Sequence, residues 1–488
     1  MPETARRKRI TGLPTFTVDE LVEATGGTPV RGKGSRVVSG VCTDSRAMHA
    51  GSVFIPLIGD RFDGHDFLAL AGECGAACVI VAEAYADKEK DVPERCAVIR
   101  VADTLRSLGD IARYHRLRFD VPLVAVTGSS GKTTTKEMIC AILGRVMQVL
   151  KSRGNYNNLI GLPLTLLEMN AHHDCAVVEM GTNCRGEIAR LAEIARPHAG
   201  VITNVGPAHL AGFGSLEVVA EEKGALFAGL CANGTAVVNA GDERVKAAAQ
   251  RWPGAHLVYG VDDSATGDAD YDVTARNIRT VPGGGMSFRL VLGDEEHAVK
   301  LRIMGRHNVE NALAAVAVCR ALGCESETIV RGLAAFTGVP GRMAVVPLRN
   351  GVRVIDDSYN ANPASLRASL EALTGAAQEG RRFVVLGDML ELGEAAAERH
   401  EEAGRDIADA RVTALFLEGE HTGHVAAGAQ DGGMPGDAIY VPPDTGAFTA
   451  AIRAVVQRGD WILVKGSRRM AMERYVEVLK DEFGVGEA

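Results

Sequence analysis

The chain has 488 residues, of which 46% are hydrophobic and 24% are charged, and its formal net charge is −9. At roughly 100–200 residues per domain, this length predicts about three globular domains. The acidic balance excludes a general binder of nucleic acid or of anionic membranes, because both need a net basic face. No run of ~18 apolar residues occurs, so we expect no membrane span. The basic first ten residues lack the apolar stretch of a signal peptide.

Ten cysteines occur at irregular spacing, and no two of them form a Cys-x-x-Cys pair. Most lie inside apolar runs, as Cys319 does at the end of Val316–Cys319. This pattern favours reduced cysteines in the core over a zinc site or a disulfide framework. Reduced thiols are typical of the cytoplasm, and we therefore predict a cytoplasmic protein.

Strands and helices alternate in the first part of the chain. The segment Phe67–Cys74 is predicted to be a helix, and Ala77–Val81 is predicted to be a buried strand. A polar, arginine-rich stretch, Arg113–Asp120, ends at Val121-Pro122. We place the first domain boundary there, so that the first domain spans residues 1–120.

Apolar strands separated by helices continue after residue 121, and this alternation predicts a parallel sheet with both faces covered. The predicted strands are 123–126, 175–178 and 200–203. Val273–Thr280 and Met286–Leu292, joined by a Pro-Gly-Gly-Gly turn, are predicted to form a β-hairpin. Asn308 is predicted to cap a helix that ends at Leu322, with Gly323 at its C-terminal stop.

The stretch Phe336–Arg342 contains two glycines and a proline and is predicted to be a linker. Beyond it an α/β pattern resumes. The predicted strands are Val352–Ile355, Arg382–Leu386, Ala414–Leu417 and Trp461–Val464. We therefore expect an α/β protein of three domains, at residues 1–120, 121–338 and 339–488.

A glycine- and serine-rich loop follows the first strand of the middle block and opens a helix. Its residues are Gly128, Ser129, Ser130, Gly131, Lys132, Thr133 and Thr134. Glycines let backbone N–H groups turn toward a phosphate, and a helix N-terminus adds positive potential. In such a loop Lys132 reaches the β- and γ-phosphates of ATP, and the Thr133 hydroxyl binds Mg²⁺. The first glycine of the strict pattern is replaced by Val126, which leaves a flexible loop as the alternative, but the flanking strand and helix favour phosphate binding.

Glu179 and His209 each follow an apolar strand, which predicts both at the C-terminal edge of the sheet, where ligands bind in open α/β folds. A carboxylate there can hold Mg²⁺. A single histidine in such a loop is more often structural, and that alternative stays open for His209. Lys223, within the segment 220–224, has the setting of an exposed lysine on a helix.

The order and spacing of several segments resemble the Mur ligase family. They are Thr127–Met138, Gly154–Asn158, Glu179–Gly181, Thr203–Ser215 with Lys223 downstream, and Gly305–Asn311. Further segments resemble the member that adds D-alanyl-D-alanine to UDP-N-acetylmuramoyl-tripeptide. They are Asp356–Pro363, Leu386–Gly393, Val464–Arg468, and Thr43–Arg46 with Gly59–His65. The resemblance covers nearly the whole chain and implies a central P-loop, parallel-sheet ATPase domain between an N-terminal α/β UDP-binding domain and a C-terminal Rossmann-like α/β domain.

The resemblance also implies the reaction and the roles of its catalytic residues. ATP phosphorylates the tripeptide carboxylate, and the amine of D-alanyl-D-alanine attacks the acyl phosphate, in peptidoglycan precursor synthesis. Because two anions must approach each other, positive charge from Lys132 and from two Mg²⁺ ions is needed. Glu179 would bind Mg²⁺, and His209 would join a second Mg²⁺ site. Lys223 is the position that the family carbamylates, since a bare ammonium repels Mg²⁺ whereas a carbamate is an anionic oxygen ligand.

The remaining binding residues follow from the same resemblance. Asn308 and Asn311 would face the adenine, and Asp357 would reach the ribose. Arg342 would lie at the hinge beside the nucleotide. The UDP pocket would include Asp44, Ser45 and Arg46, although a helix cap is the alternative for Asp44, and Asn360 would contact substrate. The family often has a carboxylate at the position of Gly241, so we assign no catalytic role there.

Three other functions are alternatives to this ligase activity. A sister ligase that adds the third peptide residue usually carries an Asp-Asn-Pro-Arg tetrapeptide, which does not occur here. Folylpolyglutamate synthetase lacks the UDP-type N-terminal domain, and a nucleotide-dependent switch needs no acceptor pocket.

The sequence leaves open whether the third peptide residue is diaminopimelate or lysine. We expect a monomer that binds these small molecules and neither nucleic acid nor membrane.

Overall fold

A computed structural model of the chain describes residues 12–32, 34–59, 61–206, 213–263, 271–281, 284–377 and 380–486. These residues contain 22 strands and 15 α-helices, together with short 3-10 helices. They group into two compact units. The first unit comprises Met1–Thr127, Val146–Gly200 and Ala225–Thr235, and the second comprises Gly128–Arg145, Val201–Gly224 and Ala236–Ala488.

Residues 15–116, in the first unit, form a small α/β structure. Its elements are β1 (Thr15–Thr17), α1 (Val18–Thr25), β2 (Thr28–Arg31), β3 (Val37–Ser39), β4 (Val41–Cys42), β5 (Val53–Phe54), α2 (Leu68–Glu73), β6 (Cys78–Ala82), β7 (Ala97–Val101) and α3 (Thr104–Arg116). Five strands pair in the order β2-β7-β6-β5-β4, with β4 to β7 parallel and β2 antiparallel to β7. The predicted helix 67–74 and strand 77–81 are confirmed as α2 and β6.

The arginine-rich stretch 113–120 is partly helical, because α3 continues to Arg116. The Arg116 guanidinium then donates to the carbonyls of Phe119 and Val121, both at 2.8 Å, and fixes the chain as it leaves the helix. The polar residues are therefore the end of an element rather than a free linker. The domain boundary at residue 120 stays a prediction.

The middle of the chain alternates strands and helices before it ends in an antiparallel extension. The elements are β8 (Leu123–Thr127), α4 (Lys132–Leu143), β9 (Val149–Lys151), α5 (Gly161–Leu167), β10 (Cys175–Glu179), α6 (Glu187–Ala195), β11 (Ala199–Ile202), α7 (Leu216–Ala228), β12 (Thr235–Asn239), α8 (Glu243–Ala249), β13 (Ala255–Val261), β14 (Val273–Thr280), β15 (Met286–Leu292), β16 (Glu295–Leu301), α9 (Arg306–Ala321) and α10 (Ser326–Ala335). The strands form a sheet in the order β16-β15-β14-β13-β12-β11-β8-β10-β9. The three predicted strands are confirmed as β8, β10 and β11, and the predicted hairpin as β14 and β15.

The predicted cap of α9 is wrong. The helix begins at Arg306 with Gly305 as its N-cap, and Gly305 has φ +94°, a conformation that suits glycine. Asn308 lies one turn inside, where its side-chain amide donates to the carbonyl of Met304 at 2.7 Å. Gly323, with φ +79°, follows the end of the helix as predicted.

The C-terminal part of the second unit is a further α/β structure. Its elements are β17 (Ala344–Pro347), β18 (Arg353–Asp357), α11 (Pro363–Ala376), β19 (Arg382–Gly387), α12 (Ala396–Asp409), β20 (Ala414–Glu418), α13 (Thr422–Asp431), β21 (Ile439–Tyr440), α14 (Thr445–Val455), β22 (Trp461–Lys465) and α15 (Glu473–Phe483). The strand order is β17-β18-β22-β19-β20-β21, and all neighbours except β17 and β18 are parallel. The four predicted strands are confirmed as β18, β19, β20 and β22.

Both faces of this six-stranded sheet are buried, which explains why its strands are continuous apolar runs. Successive side chains alternate between two hydrophobic cores. In β22, Leu463 enters one core, and Ile462 and Val464 enter the other. The carboxyl ends of the strands therefore carry the polar residues, such as Asp357 and Lys465.

The ten cysteines are free thiols, and six of them are buried. Cys74 and Cys184 are exposed, so the core assignment is wrong for these two. Of the helices in the described ranges, none combines the length and apolar character that crossing a membrane requires.

Candidate functional site

The loop between β8 and α4 brings its backbone very close to other segments of the second unit. Gly131, with φ +81°, is the N-cap of α4, and no side chain occupies the cap position. A Cβ at Gly131 would collide with the side-chain oxygen of Asn311, and a Cβ at Gly128 would collide with the Thr203 hydroxyl. Both positions therefore require glycine. The strand–loop–helix context predicted for a phosphate loop is confirmed.

The segment that follows β11 holds this loop in place. The Thr203 hydroxyl donates to the carbonyl of Ser130 at 2.5 Å, and the Ser130 N–H donates to the side-chain oxygen of Asn204 at 3.0 Å. The Ser129 hydroxyl accepts from the N–H of Gly206 at 2.9 Å. No local pattern in the sequence indicates these supports, because they join residues more than 70 positions apart. His209 lies in the same segment but outside the described residues.

Two lysines converge on one carbonyl of the loop. The Lys132 ammonium donates to the Gly128 carbonyl at 2.8 Å, and the Lys223 ammonium donates to the same oxygen at 3.2 Å. Lys223 lies on α7 and is 3% exposed, so the exposed setting that its neighbouring residues indicated is wrong, and the role implied by the family resemblance stays a prediction. Burial, helped by the charge of Lys132, lowers the pKa of Lys223 to about 7. Near pH 7, the Lys223 amine is therefore neutral in a large fraction of the molecules.

Glu179 ends β10 as predicted and is 3% exposed. The side-chain amide of Asn157 donates to its carboxylate at 2.9 Å, and the carbonyl of Asn157 accepts from the N–H of Gly181 at 2.7 Å. Asn157 therefore orients the carboxylate and the turn that follows it. Its segment, Gly154–Asn158, carries part of the family resemblance, but no pattern in the sequence indicates a role for this residue.

The hydroxyl of Thr133 and the carboxylate of Glu179 are hard oxygen donors, which is the ligand type that Mg²⁺ prefers. In the described part of the chain, no three His, Cys, Asp or Glu side chains converge as a metal cluster. Mg²⁺ at nucleotide sites is held by one or two protein ligands together with phosphate oxygens and water. Thr133 lies in the second unit and Glu179 in the first, and each is by itself a donor of the kind that Mg²⁺ accepts.

A cavity of about 290 Å³ lies within the second unit beside the phosphate loop. Its wall includes nine residues that sequence analysis assigned to binding: Ser129, Ser130, Gly131, Thr134, Asn308, Asn311, Arg342, Asp357 and Asn360. The structure thus brings together side chains from the loop, from the start of α9 and from the region of β18 and α11. Concave sites of this kind, with a few convergent polar groups, are typical of small-molecule binding.

The two asparagines in this wall are engaged with the protein itself. The side-chain amide of Asn311 donates to the side-chain oxygen of Asn308 at 3.0 Å, and the Thr135 hydroxyl donates to the side-chain oxygen of Asn311 at 3.3 Å. Together with the bond from Asn308 to Met304, these contacts tie the start of α9 to α4.

Asp357 is held by a buried cation that sequence analysis did not identify as its partner. Asp357 and Lys465 are neighbours across the parallel strands β18 and β22, and their side chains form an ion pair. Lys465 is 1% exposed and also donates to the Asn360 carbonyl at 3.1 Å, while the Ser369 hydroxyl donates to Asp357 at 2.7 Å. Only the strand register, which is non-local, reveals this arrangement.

Arg342 extends from the linker toward the phosphate loop. Its guanidinium lies 4.0 Å from the ring centroid of Tyr359, and one of its nitrogens lies 3.5 Å from the Thr133 hydroxyl oxygen. The ring restricts the guanidinium to one orientation. A fixed cation beside the predicted Mg²⁺ ligand suits the binding of a phosphate group.

The predicted UDP segment lies in the first unit. Asp44 caps the 3-10 helix Ser45–Ala47 by accepting from the N–H of Arg46 at 3.0 Å, which confirms the helix-cap alternative for Asp44. The hydrogen-bonded Arg46 guanidinium, 2.8 Å away, lowers the pKa of Asp44 to about 2. Both side chains are exposed, so the cap and the ion pair do not exclude a ligand.

Asp242 follows Gly241, the position at which the family often has a carboxylate, and it has a structural role. It caps α8 by accepting from the N–H groups of Arg244 and Val245. It also accepts from the N–H of Val205 at 2.7 Å. Its carboxylate is therefore used to fix the chain after β11.

Three family models match the chain in order: Mur ligase family, catalytic domain, at residues 37–116; Mur ligase middle domain, at residues 126–319; and Mur ligase, glutamate ligase domain, at residues 341–468. The chain is 34% identical to the UDP-N-acetylmuramoyl-tripeptide–D-alanyl-D-alanine ligase of Bacillus subtilis, over 95% of this chain and 98% of that protein. It is similar to the crystal structure of MurF from Acinetobacter baumannii, with TM-score 0.85, 33% identity and coverage of 96% and 100% of the two chains. A MurF ligase from Thermotoga maritima in complex with ADP is also similar, with TM-score 0.79, 30% identity and coverage of 91% and 97%.

Proposed function

Because the chain belongs to the Mur ligase family, we infer that its polar residues serve one reaction. The chain is an ATP-dependent ligase that adds D-alanyl-D-alanine to UDP-N-acetylmuramoyl-tripeptide in peptidoglycan precursor synthesis. The observation that carries the assignment of residues is the cavity into which the phosphate loop, the start of α9 and Asp357 converge.

The reaction needs an activated carboxylate. A carboxylate is a poor acyl donor because its leaving group would be oxide, and transfer of the γ-phosphoryl group of ATP supplies a stable leaving group instead. The amine of D-alanyl-D-alanine then attacks the acyl carbon, and phosphate leaves from a tetrahedral intermediate. The products are the UDP-muramoyl pentapeptide, ADP and phosphate.

Lys132 is the main cation of the transfer step. In the structure it contacts carbonyls of its own loop, and we expect ATP to draw it to the β- and γ-phosphates. The N-terminus of α4 and the fixed guanidinium of Arg342 add positive potential at the same place. Preorganised charge of this kind acts most strongly on the transition state, where negative charge is spread over the transferring group.

Thr133 and Glu179 would hold one Mg²⁺, and His209 and Lys223 would contribute to a second site. Bound Mg²⁺ would neutralise charge on the phosphates. As an ammonium, Lys223 does not fit a cation site, but its neutral amine can add to CO₂. A carbamate then forms and one proton passes to solvent. The burial of Lys223 and its lowered pKa support this proposal, because only the neutral amine reacts.

The other assignments complete the substrate sites. Asn308 and Asn311 would form the wall beside the adenine, and Asp357 would accept from the ribose hydroxyls. Gly128, Ser129, Ser130, Gly131 and Thr134 would offer backbone and hydroxyl groups to the phosphates. Asp44, Ser45 and Arg46 would bind the uridine diphosphate, and Asn360 would contact the acceptor or the tripeptide.

We further propose that the enzyme acts as a monomer in the cytoplasm, with domains at residues 1–120, 121–338 and 339–488. Its substrates are two soluble nucleotides and a dipeptide, which supports the location.

The test is the dependence of phosphate release on each substrate. Rapid release is expected only when ATP, the UDP-tripeptide and D-alanyl-D-alanine are all present, and the mass of the product identifies the new amide. Parallel assays with the diaminopimelate and lysine forms of the tripeptide identify the third residue. Slow, substrate-independent ATP hydrolysis without a ligated product would instead indicate a nucleotide-dependent switch.

A further inference from the structure

Glu310 is a carboxylate without a hydrogen-bond donor in the described part of the chain. It lies in the second turn of α9 and is partly buried. Burial raises its pKa. Arg306, one turn earlier, forms its ion pair with Asp263, and its charge only partly offsets the effect of burial on the pKa of Glu310. A carboxylate removed from much of its water and left without a donor is costly, and such groups occur where a ligand supplies the missing partner.

Glu310 stands between two cavities of the second unit. One is the cavity of about 290 Å³ proposed for ATP, and the other has a volume of about 260 Å³. His307, Glu310 and Ala368 line both. A ligand that fills the first cavity and extends past the start of α9 therefore passes the Glu310 carboxylate.

The second cavity suits a flat, weakly polar ring. Met286, Met304 and Ala372 contribute apolar surface to its wall. Thioether sulfur makes favourable contacts with aromatic rings, and methionine adapts to their shape. Glu310 and His307 are shared with the neighbouring cavity, and the same wall also contains the polar side chains of Thr280, Arg306 and Glu371. An aromatic ring with polar groups at its edge can therefore contact both kinds of surface there.

The proposed path of ATP leads to this place. The phosphates would lie at Ser130 and Gly131, and the ribose at Asp357, so the base must lie in the remaining part of the cavity system. There the amide groups of Asn308 and Asn311 are already bonded to the protein. Glu310 lines both cavities and has acceptor capacity left for a base, whereas Glu371 is exposed and lines the second cavity alone.

We propose that Glu310 recognises adenine by accepting a hydrogen bond from its 6-amino group, with the purine ring entering the cavity lined by Met286 and Met304. This proposal rests on the proposed ATP site and names the group that selects its base. A carboxylate accepts N–H donors and repels a carbonyl oxygen, so it favours adenine over bases that carry oxygen at the 6-position. Hydrogen bonds to a charged group are stronger than bonds between neutral groups.

The experiment compares ATP with purine riboside triphosphate, which lacks only the 6-amino group. In the wild-type enzyme, loss of this group is expected to lower kcat/KM for the nucleotide by roughly tenfold or more, mainly through KM. Glu310→Ala should lower kcat/KM for ATP by a similar factor and leave kcat/KM for the analogue nearly unchanged. Glu310→Gln, which keeps an uncharged acceptor, should preserve part of the preference.

The matched control is Glu327→Gln, an exposed glutamate on α10, which should leave the preference at the wild-type value. Binding of ADP and purine riboside diphosphate, measured by calorimetry, repeats the comparison without turnover, so an inactive variant still gives a result. A wild-type enzyme that uses the two nucleotides equally would overturn the proposal, as would an unchanged preference in Glu310→Ala. A wild-type enzyme that fails to ligate with ATP would instead contradict the proposed function.

Discussion

The phosphate loop and the Asp44–Arg46 turn are both short polar motifs, but the protein holds them in different ways. Hydrogen bonds to the loop come from Thr203 and Asn204, far along the chain. In the turn, Asp44 and Arg46 bond to each other and remain exposed. Support from distant segments fixes a site before its ligand arrives, whereas a local, exposed pair leaves its side chains freer to rearrange around a ligand.

The same contrast applies to ion pairs. Asp357 and Lys465 form a buried pair, whereas Asp44 and Arg46 form an exposed one. A buried charge that loses its partner is strongly destabilising, whereas an exposed charge is solvated by water. We therefore expect changes in the buried network to affect catalysis and stability strongly, and changes in the turn to affect one substrate.

The largest effect is expected for Lys132→Ala. The variant loses the cation that we propose faces the transferring phosphoryl group, so kcat should fall by at least about a hundredfold, which is about 2.7 kcal/mol. Affinity for the UDP-tripeptide, measured by calorimetry, should remain near that of the wild type. Lys300→Ala, on the exposed side of β16, is the control. A Lys132→Ala enzyme with more than about a tenth of the wild-type kcat would falsify the assignment.

Lys223→Ala is expected to be nearly inactive as well, because the carbamate that would bind Mg²⁺ cannot form. Acetate or formate should restore part of the activity by placing oxygen ligands in the vacated space. Removal of bicarbonate should slow the wild-type enzyme and leave the acetate-supported variant unaffected. Normal turnover of Lys223→Ala would contradict the proposal, and so would a wild-type enzyme whose intact mass and ¹³CO₂ NMR spectrum show no adduct under turnover conditions.

Lys465→Met tests the buried ion pair. The substitution leaves the Asp357 carboxylate buried without its cation, so the free energy of unfolding should fall by about 3–5 kcal/mol. The measurement is urea unfolding followed by circular dichroism. The double variant Lys465→Met with Asp357→Asn should recover part of the loss, since no charge then remains unpaired. A single variant as stable as the wild type would show that the pair is not buried in solution.

The lowered pKa of Lys223 predicts how stability depends on pH when CO₂ is absent. Its folded-state pKa of about 7 lies below its ordinary value of 10.5. Between these two values the unfolded chain binds more protons, so the free energy of unfolding should rise as pH increases from 7 toward 10.5. Lys223→Met should show a smaller rise over this window. Equal slopes for the two proteins would argue against a neutral buried amine.

The smallest effect is expected for Arg46→Ala. We expect KM for the UDP-tripeptide to rise by about three- to tenfold, with KM for ATP unchanged, because the exposed guanidinium contributes one charged hydrogen bond to a diphosphate. The unfolding midpoint should not change measurably. Arg36→Ala, an exposed arginine of the same domain, is the control. An equal rise in KM for the UDP-tripeptide and for ATP would contradict the assignment of Arg46 to the UDP site.

Local patterns predicted most elements and the phosphate loop, because each lies within a few consecutive residues. The strand ends at Glu179 and Asp357 followed from apolar runs. The burial of Lys223 could not be predicted from local sequence. Glu221 and Glu222 are typical of an exposed helix, and only tertiary packing covers Lys223. The pairing of Asp357 with Lys465 needed the strand register.

Two further features were beyond sequence reasoning for similar reasons. Asn308 has the composition of a cap, yet the helix starts at a glycine whose backbone conformation decides the boundary. Glu310 lies within the family segment Gly305–Asn311, but the resemblance implies no role for it, and the proposed role depends on the two cavities and on the absence of a donor in the described residues.

The carbonyl of Gly128, which accepts from both Lys132 and Lys223, also bears on the end of the proposed catalytic cycle. An anion that binds in the loop competes with this carbonyl for the two ammonium groups. Free phosphate has few other contacts, whereas we expect ATP to be held through its base and ribose as well. We therefore expect the loop to bind the inorganic product more weakly than ATP.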